Sequence, residues 1–434
     1  MAMNRSLWAV LLGTFTLRFS TGLTGAMLAF YLAKLPTFHP GAEPVSALTV
    51  GVFSATFFVA ELALSPLFGI LSDRYGHHRV MLFGPIFGAI AVLLTAATGN
   101  LLILGGTRLL EGSSTAASVP SILGYIALAT AGSEALRGRA ASRFEGATLA
   151  GIGLGFIAAP TLFSMLGPGA FVLNAGFYAV SLAIYLFGVQ DPAGEAEALQ
   201  REHVSFGRYA QLIRSSHIWL LAPTWIAVNA SIGLWFSQSL FQLAQANPKF
   251  PDQWLLQGFE SNQITIGAIL IAIVFGAGIV WWGNRFDRYR RTSIIAMGVV
   301  GGIGLVIAGA IANHAAFDIG ANVLVAALVV VAVGLALVGL FALAGATPAA
   351  VGLLADVSEQ FPGDRGAIMG LYSVFLGIGQ IAGSLVGGVA AEWRGFDGLF
   401  LATGALLLLA LVPLMQLRKV EHYLTGPDGV AELT

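Results

Sequence analysis

Long apolar runs alternate with short polar segments along the whole chain, and their length is the first structural signal. Twelve of these runs reach the roughly 20 residues that a helix needs to cross a hydrocarbon core about 30 Å thick. They lack the alternation over about ten residues that marks the strands of a membrane β-barrel. The pattern therefore predicts an all-α polytopic membrane protein with 12 transmembrane helices. The predicted spans cover about residues 7–33, 46–71, 80–98, 101–128, 143–165, 169–189, 217–244, 263–283, 292–312, 321–346, 367–390 and 398–417.

The Lys and Arg residues orient these spans. The first run, 7–33, is too long for the h-region of a signal peptide and lacks a cleavage site, so it is predicted to be the first span. With the N-terminus in the cytoplasm, 16 of the 21 Lys and Arg residues lie in cytoplasmic segments, and only Lys34, Lys249 and Arg394 lie in outer loops. This bias marks the cytoplasmic side. The even number of spans puts both termini in the cytoplasm, with the protein in the inner (cytoplasmic) membrane.

Composition excludes several classes of function. The chain is 57% hydrophobic and 10% charged, and its net charge of −1 gives no sign of nucleic-acid binding. It has no cysteine, which excludes disulfides and thiolate metal sites, and its seven His residues lack metal-ligand spacing. We find no nucleophile with a base at one depth and no Walker A motif, so we predict neither an enzyme nor an ATP-driven pump. No metal and no cofactor is predicted.

The longest polar connection divides the chain into two sets of six spans. The predicted domains are an N-terminal six-helix bundle, 1–189, a cytoplasmic central loop, 190–216, and a C-terminal six-helix bundle with a short cytoplasmic tail, 217–434. A loop of this composition is typical of a solvated linker that carries a short interfacial helix. Two similar halves in the same orientation are related by an axis along the membrane normal.

One short motif follows span 2 and returns after span 8, which supports the repeat. Its glycines allow a tight turn and close helix approach, its Asp can face a positive helix N-terminus, and its Arg residues anchor at the cytoplasmic headgroups. The first copy comprises Gly69, Asp73, Arg74, Gly76 and Arg79, and the second comprises Gly283, Asp287 and Arg288.

These features resemble the major facilitator superfamily (MFS) of secondary transporters over the whole chain. The first copy resembles the family's signature between spans 2 and 3, with His77 and His78 in place of the usual basic pair. In span 4, Arg108 and Gly112 match a second family pattern. The resemblance implies the MFS fold, with 12 helices in two six-helix pseudo-symmetric halves that alternate access to a central site. It also implies that the motif is a cytoplasmic latch between the halves, whereas an orientation anchor alone remains an alternative.

Two further features depend on this resemblance. The antiporter-associated pattern of span 5 is matched by three residues, although Ala159 and Phe163 stand where the family has glycines. The matching residues of span 5 are Gly146, Gly155 and Pro160.

Because His titrates near neutral pH, the pair His77 and His78 after Gly76 predicts a latch that responds to cytoplasmic pH.

Four charged residues lie inside the predicted spans of the N-terminal half: Arg18, Glu61, Arg108 and Glu111. At about 1.5 Å per residue, each lies roughly 15–20 Å from the cytoplasmic side. We call them the midplane charges. Charges at this depth are costly and mark functional sites, so they predict a proton- or substrate-coupling site. The alternative is a pair of salt bridges that only hold the spans together.

The roles within this group follow from charge and from the resemblance. Glu61 is the first choice for the proton carrier and Glu111 the second, because desolvation and a nearby Arg oppose each other at a buried carboxyl. The resemblance favours Arg108 as the residue that modulates the carrier. Glu145, nearer the cytoplasmic end of span 5, is predicted to be an interfacial partner of Arg139 or Arg143.

Span 7 offers a second candidate surface. Trp225, Asn229, Gly233 and Phe236 lie roughly on one helical face. In the family that the chain resembles, spans 1, 4, 7 and 10 line the central cavity, so these residues are predicted to line it. With the midplane charges on one wall and an apolar, aromatic second wall, the cavity suits a small amphipathic or lipid-like substrate. The alternative is that the aromatic residues only pack or face lipid.

The leading interpretation is a secondary active transporter that works by alternating access and exports an amphipathic or lipophilic small molecule in exchange for protons. A lipid or glycolipid flippase on the same fold and a proton-coupled uptake symporter are the alternatives. A non-transporting receptor or assembly factor is disfavoured, because a scaffold needs no midplane charges. The expected partners are the substrate, protons and membrane lipids, with no nucleic acid, and the chain is expected to act as a monomer.

Overall fold

The computed structural model describes residues 3–131, 133–190, 220–285, 288–318, 320, 322–359 and 365–425. Nearly all of these residues are helical, and the extended pairing among them is limited to one isolated bridge between Ala246 and Gln257. The all-α prediction is confirmed. Asp287 and, apart from its first residue, the predicted central loop 190–216 lie outside the described residues.

Six long helices correspond to the first six predicted spans. Two short helices, Leu35–Phe38 and His77–Met81, lie in the connections after the first and before the third of these long helices. The long helices are α1 (Arg5–Ala33), α2 (Ala47–Tyr75), α3 (Phe83–Ala97), α4 (Leu101–Ala129), α5 (Glu134–Leu166) and α6 (Gly169–Gly188).

The second set begins at Ala222. Its last element, Arg365–Thr425, contains a break at Arg394 and Gly395, where Gly395 takes a φ of +56° that favours glycine. We call the part before this break α11 and the part after it α12. The other helices are α7 (Ala222–Leu243), α8 (Ser261–Gly283), α9 (Arg291–Ala315) and α10, which has two pieces, Val323–Ala344 and Ala346–Glu359.

Side-chain caps explain where several helices begin. Asn4, Asn100, Ser133 and Asn322 each accept a hydrogen bond from a backbone N–H in the first turn of α1, α4, α5 and α10. Such caps satisfy N–H groups that have no partner within the helix. The cap at Ser133 starts α5 nine residues before the predicted span at 143, because a charged sequence still forms helix where it lies outside the hydrocarbon core.

Polarity separates the helices into two classes. Among the described residues, eight helical stretches are long and apolar enough to cross a membrane by length and composition, and α1, α4 and α7 are not among them. One of the eight, Ser373–Lys419, runs through both α11 and α12. The three more polar helices carry Arg18, the pair Arg108 and Glu111, and Asn229. The chain is a multi-pass membrane protein, and these three helices carry three of the four midplane charges.

The chain divides into two compact units. Unit 1 comprises Met1–Val45, Val52–Glu202 and Glu260–Ala268, and unit 2 comprises Ser46–Gly51, His203–Phe259 and Ile269–Thr434. Small residues allow close helix packing inside each unit, as is typical of membrane helices. A Cβ on Gly155 of α5 would overlap the carbonyl of Phe19 on α1, and a Cβ on Gly383 of α11 would overlap the carbonyl of Ala230 on α7.

Candidate functional site

Arg18 lies at the packing face of α1 in unit 1 and is 8% exposed. Its Nη1 donates a hydrogen bond to Oγ1 of Thr115 on α4, at 3.4 Å. Gly151 of α5 lies so close that a Cβ there would stand 2.9 Å from the Cβ of Arg18. The guanidinium group is therefore held between α1, α4 and α5 in the interior of the unit.

Arg108 and Glu111 form an ion pair one turn apart on α4. Their side chains are 9% and 2% exposed, so the pair is buried. The guanidinium carbon of Arg108 also lies 4.9 Å from the ring centroid of Phe57 on α2. Glycine at position 112 allows this approach, because its Cβ would stand 2.7 Å from that of Ala60. The charges cancel, yet Arg108 Nε and Glu111 Oε1 have no hydrogen-bond partner among the described residues.

Glu61 lies one turn after Phe57 on α2 and is half-buried. The positive charge of Arg18 acts on its carboxyl group. Helical neighbours lie four residues apart, so Phe57 is beside Glu61 on α2, and Thr115 is beside Glu111 on α4. Because Arg18 contacts Thr115 and Arg108 contacts Phe57, the structure brings the four midplane charges to one level of unit 1.

A buried polar face on α6 was missed by the sequence reasoning. Tyr178 is 1% exposed and lies in the field of both Arg18 and Arg108. One turn earlier, Nδ2 of Asn174 donates to Thr24 Oγ1 at 2.7 Å. These side chains are uncharged, so their spacing by three or four residues is the sequence signal for a shared helical face. That face carries Asn174, Tyr178, Ser181 and Tyr185, all buried.

Glu145 is exposed on α5, and its pairing with Arg139 or Arg143 stays a prediction. The charge that acts on its carboxyl group is that of Arg18. The guanidinium carbon of Arg143 lies instead over the ring of Trp8, 4.9 Å from its centroid, and its Nη1 contacts Sδ of Met3.

The predicted stripe on α7 does not form one exposed surface. Trp225 is 1% exposed within the core of unit 2, and Asn229 donates from Nδ2 to the Trp225 carbonyl at 2.8 Å. Gly233 lies against Gln380 of α11, whose Cα would be 3.0 Å from a Cβ at this position. Only Phe236, at 54%, is exposed. Small residues of α11 allow this helix to pack closely against α7, and the stripe lies in the contact between them.

The span 5 motif contributes packing. Gly155 closes α5 onto α1, where its Cβ would stand 2.7 Å from the backbone nitrogen of Leu23. Pro160 is buried within α5. A Cβ on Gly146 would meet no neighbouring atom within 4 Å in the described part of the chain. Two of the three residues therefore serve the contacts of α5.

The loop after α2 turns at Gly76, whose φ of +100° ends the helix. Oδ1 of Asp73 lies 3.8 Å from Nε2 of His77, which is buried. His78 contacts the carbonyl of Tyr185 on α6 through Nε2 at 2.9 Å. Both histidines are thus packed within unit 1.

The remaining motif residues are peripheral. Gly69 would place a Cβ 3.8 Å from Cβ of Pro120 on α4, an ordinary contact. Arg74 and Arg79 are exposed, as is Arg288 in the second copy. Near that copy, Nε of Arg291 at the start of α9 lies 3.2 Å from Oδ2 of Asp356. A Cβ on Gly283 would meet no atom within 4 Å among the described residues.

Comparison with known proteins gives the family. The model of the Major Facilitator Superfamily matches residues 10–327 and 234–431. Quinolone resistance protein NorA of Staphylococcus aureus (strain COL) is 21% identical over 420 residues, which cover 95% of this chain and 97% of that protein. Multidrug resistance protein 2 of Bacillus subtilis (strain 168) is 30% identical over 133 residues, 31% of this chain.

Other matches are partial in length or in detail. The chain spans 30%, 52% and 64% of the length of three relatives, one of which is Multidrug resistance protein 2. The crystal structure of the nucleoside transporter NupG superimposes with a TM-score of 0.64 at 15% identity, covering 94% of this chain and 99% of that one. At this identity the likeness concerns the fold alone. The chain belongs to the Major Facilitator Superfamily, the transporter family that its motifs resemble.

Proposed function

We propose that the protein is a proton-coupled secondary transporter that exports an amphipathic or lipophilic small molecule by alternating access. The observation that carries this proposal is the buried group of midplane charges in unit 1, where Arg18 acts on Glu61 and Arg108 is paired with Glu111. Membership of a transporter family explains why a membrane protein would retain such a costly arrangement. Family membership also argues for a transporter rather than an intramembrane enzyme.

Proton binding at Glu61 gives a physical route to coupling. A proton on its carboxyl group changes the net charge around Arg18 by one. The cost of a net charge inside a membrane depends on how much water reaches it. Conformations with different water access therefore differ in proton affinity, and a solute that prefers one of them loads or releases the proton. Arg108 and Glu111 form an ion pair on α4, and their opposite charges cancel.

The substrate class is inferred from the polarity of the two units. The charges near the midplane all lie in unit 1, whereas Val323–Ala344 of α10 has no polar side chain and Phe236 of α7 is exposed. A solute with one polar and one apolar part fits these surfaces best. Two relatives named for multidrug and quinolone resistance support export of such a compound. A lipid flippase is the second candidate, because the apolar α10 also suits acyl chains.

The setting of this transport follows from charge and chain organisation. Of the 21 Lys and Arg residues, 16 fall on the side that we assign to the cytoplasm, and this bias supports cytoplasmic termini in an inner-membrane protein. Both six-helix sets belong to one chain, so we infer that a monomer is sufficient. The loop residues Asp73 and His77 are proposed to belong to the cytoplasmic latch, with protonation of His77 strengthening its attraction to Asp73.

The test uses purified protein in liposomes with an imposed pH gradient. Three probes separate the candidates: ethidium, norfloxacin and a fluorescently labelled phosphatidylglycerol. We expect gradient-driven movement of ethidium or norfloxacin with opposite proton movement, and its loss in Glu61→Gln. Glu43→Gln, at an exposed residue of the outer loop, is the matched control. Movement of the labelled lipid alone would favour the flippase, and wild-type coupling in Glu61→Gln would refute the role of Glu61.

A further inference from the structure

Three elements meet within unit 2 on the side that we assign to the exterior: the end of α9, the start of α12 and the loop that follows α7. Gln253 of this loop is 2% exposed, and its Oε1 accepts a hydrogen bond from the backbone nitrogen of Phe396 on α12, at 2.9 Å. On α9, Oδ1 of Asn313 accepts one from the backbone nitrogen of Leu255, also at 2.9 Å. Both bonds join uncharged groups, so they hold this part of the loop at any pH near neutrality.

His314 adds a charged contact to these elements. Its Nε2 lies 2.9 Å from Oδ2 and 3.0 Å from Oδ1 of Asp397 on α12. Oδ1 of the same carboxylate accepts a hydrogen bond from Nδ2 of Asn313, at 3.3 Å. The other ring nitrogen of His314, Nδ1, lies 3.6 Å from Oδ2 of Asp252, which directly precedes Gln253 in the loop. The imidazole ring therefore stands between two carboxylates that belong to different elements.

The two contacts of His314 depend differently on its protonation. A neutral imidazole carries one N–H group, whereas an imidazolium carries two, and an ionised carboxylate only accepts. The 2.9 Å hydrogen bond to Asp397 therefore requires a proton on Nε2 in both states of the ring. In the neutral ring, Nδ1 then presents a lone pair to the carboxylate of Asp252, and a second proton turns this contact into an attraction.

Other charged side chains near this point have different partners. Nζ of Lys249 in the loop lies 4.0 Å from Oε1 of Glu392 on α11. The guanidinium carbon of Arg394, at the break before α12, lies over the adjacent Trp ring, 5.0 Å from its centroid. Along the chain, Asp318 is the next charged residue after His314. In the described part of the protein, the carboxylates that face the imidazole are thus the two named above.

We propose that His314 is a proton sensor on the outer side of the protein, where a second ring proton ties Asp252 and loop residues 244–252 to α9 and α12. As the outer pH falls through the range in which histidine titrates, the imidazolium forms and this part of the loop is held more tightly. As the pH rises, the ring becomes neutral and the tie to Asp252 is lost, whereas Gln253 keeps the following residues in place. The sensor is independent of the proposed proton coupling at Glu61.

The experiment uses a nitroxide spin label beside Asp252. Because the chain has no cysteine, Pro251→Cys at an exposed position gives one labelling site for electron paramagnetic resonance in nanodiscs. We expect the rotational correlation time of the label to be at least about twofold longer at pH 5.5 than at pH 8. In the same labelled background, His314→Gln and Asp252→Asn should each abolish this difference. Lys249→Gln, a matched change of charge in the same loop, should retain it.

Each outcome supports or overturns the sensor. Label mobility that is the same at both pH values, or an unchanged pH effect in Asp252→Asn, would overturn it. A pH effect that persists in His314→Gln would place the titrating group elsewhere, and loss of the effect in Asp318→Asn with retention in Asp252→Asn would assign the partner wrongly. A label at Glu43→Cys, on the outer side of unit 1, should show no such effect. Ethidium transport in proteoliposomes tests the proposed function separately, and its failure would leave this measurement unaffected.

Discussion

The buried pair on α4 gives the sharpest test of how charge is held inside unit 1. Glu111→Gln removes the negative partner and leaves Arg108 charged, buried and without its carboxylate. Removing one partner of a buried pair costs about 3–5 kcal/mol of folding free energy. With side-chain exposures of 9% and 2%, solvent screening gives little relief, so we expect the full range.

The double variant Arg108→Met/Glu111→Leu isolates the uncompensated charge as the cause. Replacing both members of a buried pair by apolar residues is often neutral or stabilising by about 1–4 kcal/mol. Here it also removes the contact of Arg108 with Phe57, which is worth about 2 kcal/mol when desolvated. We therefore expect the double variant to lie within about 2 kcal/mol of wild type, well above Glu111→Gln.

Unfolding by SDS titration in mixed micelles, followed by the fluorescence of the eight Trp residues, measures both variants under one set of conditions. Glu43→Gln serves as a control for the loss of one carboxylate at an exposed position. If Glu111→Gln were as stable as wild type within about 1 kcal/mol, the argument from burial would be refuted. A double variant less stable than Glu111→Gln would show that the pair itself stabilises the fold, against the general rule.

Three further predictions concern packing and the loops. Gly155→Val would force a side chain into the backbone of α1 at Phe19, and we expect a loss of about 1–3 kcal/mol in the same titration. Gly76→Ala would hold an alanine at a φ of +100°, which should lower the free energy of unfolding by about 1–3 kcal/mol. Unchanged stability of this variant would refute the turn geometry. His314→Ala removes its 2.9 Å contact with Asp397 of α12 and its 3.6 Å contact with Asp252 of the loop 244–260, so that loop should be cleaved faster by protease, with global stability changed by about 1 kcal/mol or less.

The helices were predictable because the bilayer imposes one length on every span. Each of the 12 predicted spans coincides with a helix of the structure, and the ends differ by a few residues in most cases. The larger differences are at α5, which begins at Glu134 in a charged segment, at α10, whose second piece ends at Glu359, and at α12, which continues to Thr425. Hydropathy reports where a helix enters the hydrocarbon core, whereas a cap such as Ser133 decides where the helix itself starts.

The face that a helix presents was harder to predict than its length. Periodicity placed Trp225, Asn229 and Gly233 on one side of α7, which is correct, but it does not say what that side meets. Small residues on α11, among them Gly379 and Gly383, draw this side into the core of unit 2.

Two buried polar groups, Arg18 of unit 1 and Asn229 of unit 2, differ in whether protonation can change the charge around them. In unit 2, Asn229 donates to the carbonyl of Trp225 on its own helix, so its preferred state needs neither a proton nor a ligand. In unit 1, the charge of Arg18 acts on the half-buried carboxyl group of Glu61, and one bound proton changes the net charge there by one. A group whose charge balance depends on protonation responds to a gradient, whereas a neutral satisfied amide does not. For this reason Glu61→Gln should change the pH dependence of transport, while Asn229→Ala should lower stability and leave that dependence intact.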